Sequence, residues 1–477
     1  MGGNSCTDSI HCISQAQMLQ DSVRTGVYQN ALLAHSEEHF KDKVVMDVGA
    51  GNGILSLFAI QSGARKVFAV EASNMVQHLD TLVRAAQGTL PTGKDGVDDD
   101  MQWYLEGQGF DARAHAKRKT NAWIGDKLVP VHSKIEDVKS DKLQGHEKVD
   151  TIVSECLGVL LVHERMCESF LDARDRFLKP GGALFPSSGT ICFAPIEDKP
   201  IWDEVATKAR FWQQAHFYGV DLHPFFASAW REAFSSPVVG CFNPNTVLAS
   251  PVEHVVDFMT VSMEGIRKFE VPLDWTMRNT GLVHGVGGWF DLWFMPPEED
   301  KDSDATEDAA PNASKMEEDS DEPYAGLSVN APPFQPTASS LANGSLDAQT
   351  AALLSAAAGT SSSANSVSTF MTTSPYATPT HWQQARLLFP EPLAVNRGQR
   401  IVGSMQFAVN ENRSYDIDAE VRVVDTVDPE QEKKKESGER DRATTRRFRW
   451  HLDRQYYSFT TSNAGQPPNA TGAYATA

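Results

Sequence analysis

The chain is predicted to fold as an α/β doubly wound (Rossmann-like) domain followed by an antiparallel β-barrel domain carrying an inserted helical arm. Three observations predict this. Apolar strands alternate with amphipathic helices from residue 43 to about 185, short runs of period two replace them from 186 onward, and a Trp- and Phe-rich helical stretch interrupts those runs.

In the first region, residues 43–48, 66–71, 128–132 and 149–155 are apolar and rich in β-branched side chains, as strands buried on both faces are. Residues 54–61 and 75–86 between them have the helical period. Residues 88–127 break the rhythm with Gly, Asp and Lys in no clear period, and are expected to be a surface insertion. The domain is therefore bounded at 43–185. Beyond it, 189–193, 254–261 and 401–408 alternate as half-buried antiparallel strands do, which bounds a second domain at 186–460. The helical excursion within it covers 201–222. Residues 296–375 are first acidic and then rich in Ser, Ala, Thr and Pro, so they are expected to be disordered, as is the tail 461–477.

At 477 residues, with 41% hydrophobic and 22% charged residues, the chain has room for two or three globular domains. No apolar run approaches the roughly 18 residues that a spanning helix needs, so no membrane partner is expected. The opening MGGNSCTDSIHC lacks the charged and apolar regions of a secretory signal. It comes near an N-myristoylation signal, with Cys6 where Ser or Thr is wanted. Six scattered cysteines without a CxxC pair point to a reducing compartment and away from a metal site.

The formal charge of −20 disfavours nucleic acid as a direct partner and favours a basic protein substrate. Half of it is local. Residues 298–322 hold twelve acids against Lys301 and Lys315, which fits a solvated loop and, alternatively, a substrate-docking tail.

The first strand leads into Asp47-Val-Gly49-Ala-Gly51-Asn-Gly53 and then a helix. Glycines at such a turn let backbone N–H groups approach a ligand, although a tight turn alone also explains them. The spacing is GxGxG rather than the GxGxxG of dinucleotide binders. The second strand ends in Glu71, where an acid can take two ribose hydroxyls. Glu136 follows the third strand and Ser154 ends the fourth. Together these residues indicate adenosine without a pyrophosphate, for which S-adenosyl-L-methionine is the common ligand.

The fourth strand runs into Ser154-Glu155-Cys-Leu-Gly158, and the loop continues to His163-Glu164-Arg165-Met166. Two glutamates nine residues apart, one ending a strand and one opening a helix, can face each other across the loop. Such a pair suits a planar guanidinium, which accepts paired charge-assisted hydrogen bonds. Glu164 alone is equally explained as a first-turn acid favoured by the helix dipole.

With these stretches the chain resembles the protein arginine methyltransferases, most of all the coactivator-associated type I enzymes. The resemblance also rests on Gln20-Asp-Ser-Val-Arg24-Thr-Gly-Val-Tyr28, Phe185-Pro186, Phe211-Trp212 through Gly219-Val-Asp221-Leu, Gly281-Leu-Val-His284-Gly285 and Thr380-His381-Trp382. It covers most of 15–86, 127–295 and 376–425.

The resemblance implies S-adenosyl-L-methionine as cofactor, with Arg24 on its carboxylate. It implies Met18 and Met166 beside the target nitrogen and Glu155 and Glu164 on the substrate guanidinium. His381, with Trp382 next to it, would shape the same pocket and pair with Asp21. Read alone, His381 would be a buried structural histidine. Direct in-line methyl transfer needs no metal. The resemblance further implies a homodimer through arm 201–222, histones and Gly-Arg-rich RNA-binding proteins as substrates, and action in nucleus and cytoplasm.

Residues 1–42 would form helices that cover the cofactor. Yet Ser5, Cys6 and Ser9 stand where the family has Tyr-Phe-x-x-Tyr, and Ser22 stands where Tyr is usual. Cys156, Leu157 and Val159 replace the usual Pro, Met and Tyr of the double-glutamate loop. A truncated first helix is one expectation. The other is an attenuated homologue that acts as a protein-binding scaffold.

Overall fold

The computed structural model describes residues 12–89, 121–294, 369–424 and 445–458. Two helices, α1 (Cys12–Gln20) and α2 (Ser22–Ala34), precede the first sheet. Asp21 caps α2 by accepting from the Arg24 N–H at 3.0 Å.

The sheet that follows contains β1 (Val44–Val48), β2 (Lys66–Glu71), β3 (Leu128–His132), β4 (Val149–Ser154) and β5 (Leu178–Phe185). All pairs are parallel and the order is β3-β2-β1-β4-β5. Every residue of β1 is buried, as a strand covered by helices on both faces must be. The covering helices include α3 (Ile54–Gln61), α4 (Met75–Gln87) and α5 (Met166–Phe177). The strand order reverses between β1 and β4, so the ligand crevice lies at their carboxyl ends.

The remaining strands are β6 (Ser188–Ile196), β7 (Val238–Val239), β8 (Val252–Asp257), β9 (Lys268–Thr276), β10 (Gly281–Phe294), β11 (Thr369–Thr372), β12 (Ala385–Val395), β13 (Arg400–Val409), β14 (Tyr415–Val424), β15 (Arg446–His451) and β16 (Tyr456–Tyr457). A seven-stranded sheet runs β16-β7-β12-β10-β6-β8, with β11 also on β10, and a four-stranded sheet runs β15-β14-β13-β9. All pairs are antiparallel except β16 with β7. The sheets face each other as a barrel-like domain. The Trp275 indole donates to the Phe193 carbonyl at 3.1 Å and the Trp450 indole to the Leu388 carbonyl at 3.1 Å, each bond crossing from one sheet to the other. One apolar core runs from the parallel sheet into the barrel, which fixes the two against each other.

Three sequence expectations change and a fourth is qualified. Of the insertion 88–127, residues 90–120 lie outside the described set; within 121–127, Asn121, Ala122, Trp123 and Asp126 are exposed, while Ile124 is wholly buried in the core and the Lys127 carbonyl accepts from Val67 N–H. Of the segment 296–375, residues 369–372 form β11, which pairs with the edge that β10 offers, and Thr373 and Ser374 are buried behind it. The strand expected over 254–261 stops at Asp257, whose carboxylate accepts from Met259 N–H and Thr260 Oγ and turns the chain. The helical excursion is longer than 201–222. It consists of α6 (Lys199–Arg210), a turn, and α7 (Phe226–Phe234), because Trp202, Trp230 and Phe234 pack together across the two helices. Ser5, Cys6 and Ser9, most of 296–375, and the tail 461–477 lie outside the described residues.

Candidate functional site

The glycine loop bridges β1 and α3 with Gly49, Gly51 and Gly53 all at positive φ. Gly53, at φ 83°, holds a backbone conformation that favours glycine, and a Cβ there would also displace the Leu79 side chain. Gly51 N–H donates to Glu71 Oε2 at 2.7 Å, and Ser73 N–H donates to Oε1 at 2.7 Å. Glu71 is thus clamped by two backbone donors at the end of β2, with lone pairs left for a diol. Gln15 of α1 covers the loop: its amide Oε1 would lie 2.9 Å from a Cβ on Gly51 and accepts from Asn52 Nδ2 at 2.7 Å. Gln15 carries no motif that would have revealed this role.

Asp47 and Ser154, expected at the cofactor, also make internal bonds that support the loop. Both are fully buried beneath the loop. Asp47 Oδ2 accepts from Ser56 Oγ at 2.7 Å, anchoring α3, and burial raises its pKa to about 7 with a smaller push from Glu71. The Ser154 hydroxyl donates to the Val48 carbonyl at 2.7 Å, tying β4 to β1 where the strand order reverses. Glu136 is exposed just beyond β3 and accepts from Ser169 Oγ at 2.7 Å.

The double-glutamate loop leaves β4 and enters α5. Its turns are tight: Leu160, Leu161, Glu164 and Arg165 all have positive φ. Non-glycine residues held so cost of order 1–3 kcal/mol each, and such strain concentrates at functional sites. Arg24 sits under the loop, buried, with Nε 3.1 Å and Nη2 2.5 Å from Glu155 Oε2. The other oxygen of Glu155 accepts from Leu157 N–H at 3.1 Å. Arg24 was expected on the cofactor's carboxylate; in this structure Nε and Nη2 are on Glu155, while Nη1 lies 3.5 Å from the Met18 carbonyl. Burial opposes the charge on Arg24, but Glu155 more than offsets it and holds the guanidinium above its ordinary pKa.

Glu164 reaches solvent at the mouth of the cleft, yet protein surrounds it on most sides. Burial and the neighbouring Glu155 raise its pKa, partly countered by Arg413 and His381. His381 Nδ1 lies 2.8 Å from Asp21 Oδ2, which also accepts from the His381 backbone N–H at 2.8 Å. Burial pushes the Asp21 pKa up, but these bonds and the one from Arg24 N–H outweigh it and leave it lowered. Trp382 is buried, packs on Phe290, and donates its indole N–H to the Leu157 carbonyl at 3.2 Å, bracing the loop from behind. The Tyr28 hydroxyl, another buried brace missed from sequence, donates to the Ser154 carbonyl at 3.1 Å.

Met166 opens α5 with its Cε 3.3 Å from where a Cβ on Gly49 would stand. Met18, half-buried on α1, accepts from Asp21 N–H through its carbonyl. The crevice thus assembles a glycine cradle, a clamped acid, two glutamates on one loop and a methionine between them and the cradle. Such an arrangement can hold a nucleoside on one side and a planar cation on the other.

Residues 187–307 and 360–426 match the model of the arginine methyltransferase oligomerization subdomain. A probable histone-arginine methyltransferase CARM1 of Oryza sativa subsp. indica is 33% identical over 85% of this chain and 56% of its own length. The histone-arginine methyltransferase CARMER of Drosophila persimilis is 30% identical over 87% of this chain and 57% of its own. The chain therefore spans little more than half the length of the curated relatives it matches. Among solved structures, Arabidopsis thaliana protein arginine methyltransferase 10 shares the fold at TM-score 0.58 and 22% identity, over 93% of this chain and 97% of that one.

Proposed function

The chain belongs to the protein arginine methyltransferase family, and from that premise we propose that it methylates arginine side chains of basic proteins, using S-adenosyl-L-methionine. The reading rests above all on Glu155 and Glu164, brought to one loop at the carboxyl end of the parallel sheet beside the Gly49–Gly53 cradle. The substrates would be histones and Gly-Arg-rich RNA-binding proteins, and the products mono- and asymmetric dimethylarginine. The likeness to relatives named as histone-arginine methyltransferases supports the histone part of this reading, which takes the action to be in the nucleus as well as the cytoplasm.

The residues present fit the cofactor. Glu71 has lone pairs for the ribose, Arg24 retains the second N–H of Nη1 for a carboxylate, and Gln15 closes over the loop. When bound, the sulfonium supplies an electrophilic methyl group and a neutral leaving sulfide. Glu155 and Glu164 then draw the positive charge of the acceptor guanidinium onto its far nitrogens, so the reacting nitrogen keeps its lone pair. Met166 fills the space between loop and cradle and holds that nitrogen in line. The proton leaves after the methyl has moved, and Glu164, the carboxylate made more basic by burial, is suited to take it.

The arm would mediate a homodimer. Phe211, Tyr218, Val220 and Phe225 are exposed along it, an apolar face of the kind that oligomer contacts cover.

The test is transfer of labelled methyl from S-adenosyl-L-methionine to a histone or Gly-Arg-rich peptide, followed by hydrolysis and amino-acid analysis. Labelled asymmetric dimethylarginine is expected. Cofactor binding with no transfer to any such acceptor would replace the enzyme by a scaffold.

A further inference from the structure

The turn between β13 and β14 reaches from the barrel to the double-glutamate loop. Asn410 organises it by accepting from Asn412 N–H at 3.0 Å and Ser414 N–H at 3.1 Å. Two bonds fasten it to the loop: Arg165 Nη1 donates to the Asn410 carbonyl at 3.3 Å, and His163 Nδ1 lies 2.8 Å from Ser414 Oγ. Arg413, at positive φ on the turn, places Nη2 3.9 Å from the Met166 sulfur. Met166 therefore spans from Arg413 at its sulfur to Gly49 at its methyl.

We infer that Arg413 is a positioning residue for the acceptor site: it seats Met166 and supplies the fixed positive charge that orients Glu164. This rests on the proposed role of Glu164. A carboxylate held at positive φ and recessed beside Glu155 would turn away from its neighbour or take up a proton. A cation on the turn that is fastened to residues 163 and 165, on either side of Glu164, favours the ionised form. Glu155 faces Glu164 from the end of β4, His381 from the segment before β12, Tyr457 from β16 and Arg413 from the turn. Of these, Arg413 alone is permanently cationic. An arriving guanidinium then finds Glu164 charged and Met166 in place.

The test compares Arg413→Asn with Arg413→Lys in the full chain, reading kcat and KM for a Gly-Arg-rich peptide from pH 6.5 to 9. Asparagine tolerates the left-handed backbone, and the side chain is exposed, so the fold should survive. Arg413→Asn is expected to lower kcat/KM about tenfold near pH 7. It should also move the acid limb of the profile to higher pH, because losing the cation raises the Glu164 pKa. Arg413→Lys should recover most of both. Cofactor affinity by calorimetry should change less than about twofold. An unmoved acid limb, or a lysine variant no better than asparagine, would overturn the inference. Glu164→Gln separates the two readings. If it stays fully active, the acceptor assignment falls. If it is dead while Arg413→Asn behaves like the parent, only the role of Arg413 falls.

Discussion

Arg24 and Glu155, 131 residues apart, form a buried ion pair in which one carboxylate oxygen accepts from both Nε and Nη2. It joins the helix expected over the cofactor to the loop expected to clamp the substrate, so the two half-sites share one charge pair. Only a side chain at 155 that cannot accept from Arg24 would therefore act on both sides of the crevice.

Glu155→Gln keeps an acceptor for Arg24 but removes the charge that the guanidinium needs. Turnover should fall by about two orders of magnitude or more, the scale seen when one charge-stabilising group is lost. Cofactor affinity by calorimetry should stay nearly unchanged. Turnover close to that of the parent chain would remove Glu155 from the acceptor site.

Glu71→Ala should show the opposite pattern. Gly51 and Ser73 N–H groups lose their shared carboxylate and the ribose loses its acceptor, so cofactor affinity drops first. Unchanged binding heat and affinity would exclude Glu71 from the ribose site.

Asp47 makes stability fall with pH. Its folded pKa, about 7, lies above the ordinary value of 3.8, so the folded state binds the extra proton between them. Stability from this group is thus complete below about pH 4, declines through the window, and is lost above about pH 7. Asp47→Asn removes that slope and should gain, relative to the parent, on the order of a few kcal/mol between pH 4 and 7.5. Denaturant melts at the two pH values check it, and parallel losses in both proteins would contradict it.

Met371 tests whether β11 belongs to the core. It is only 2% exposed and sits opposite Leu292. Met371→Ala should cost about 2–5 kcal/mol, lowering the melting temperature by several degrees. A melting temperature within one degree or so of the parent would show that the strand adds little.

The arm's exposed aromatics predict concentration-dependent assembly. Tyr218→Ala combined with Phe225→Ser should shift the chain from dimer to monomer in light scattering while leaving its circular dichroism intact. A dimer that persists would place the contact elsewhere.

What the sequence determined is what local chemistry dictates. Strands 66–71 and 128–132 and helix 54–61 have the bounds that their apolar periods indicate, because residues buried on both faces leave a continuous mark on the chain. Glycines at positive φ and the acid ending β2 are likewise visible as neighbours. What tertiary structure alone decided is pairing at long range. That Arg24 rests on Glu155, that β11 returns to β10, that Gln15 covers Gly51 and that Arg413 meets Met166 depends on how the barrel docks against the sheet. A side chain's partner lies across space, and nothing in its own stretch of sequence records which surface will arrive there. The depth of Asp47 and Ser154 follows the same rule: as residue types both could face a ligand, and only the packing of helices over the sheet buries them.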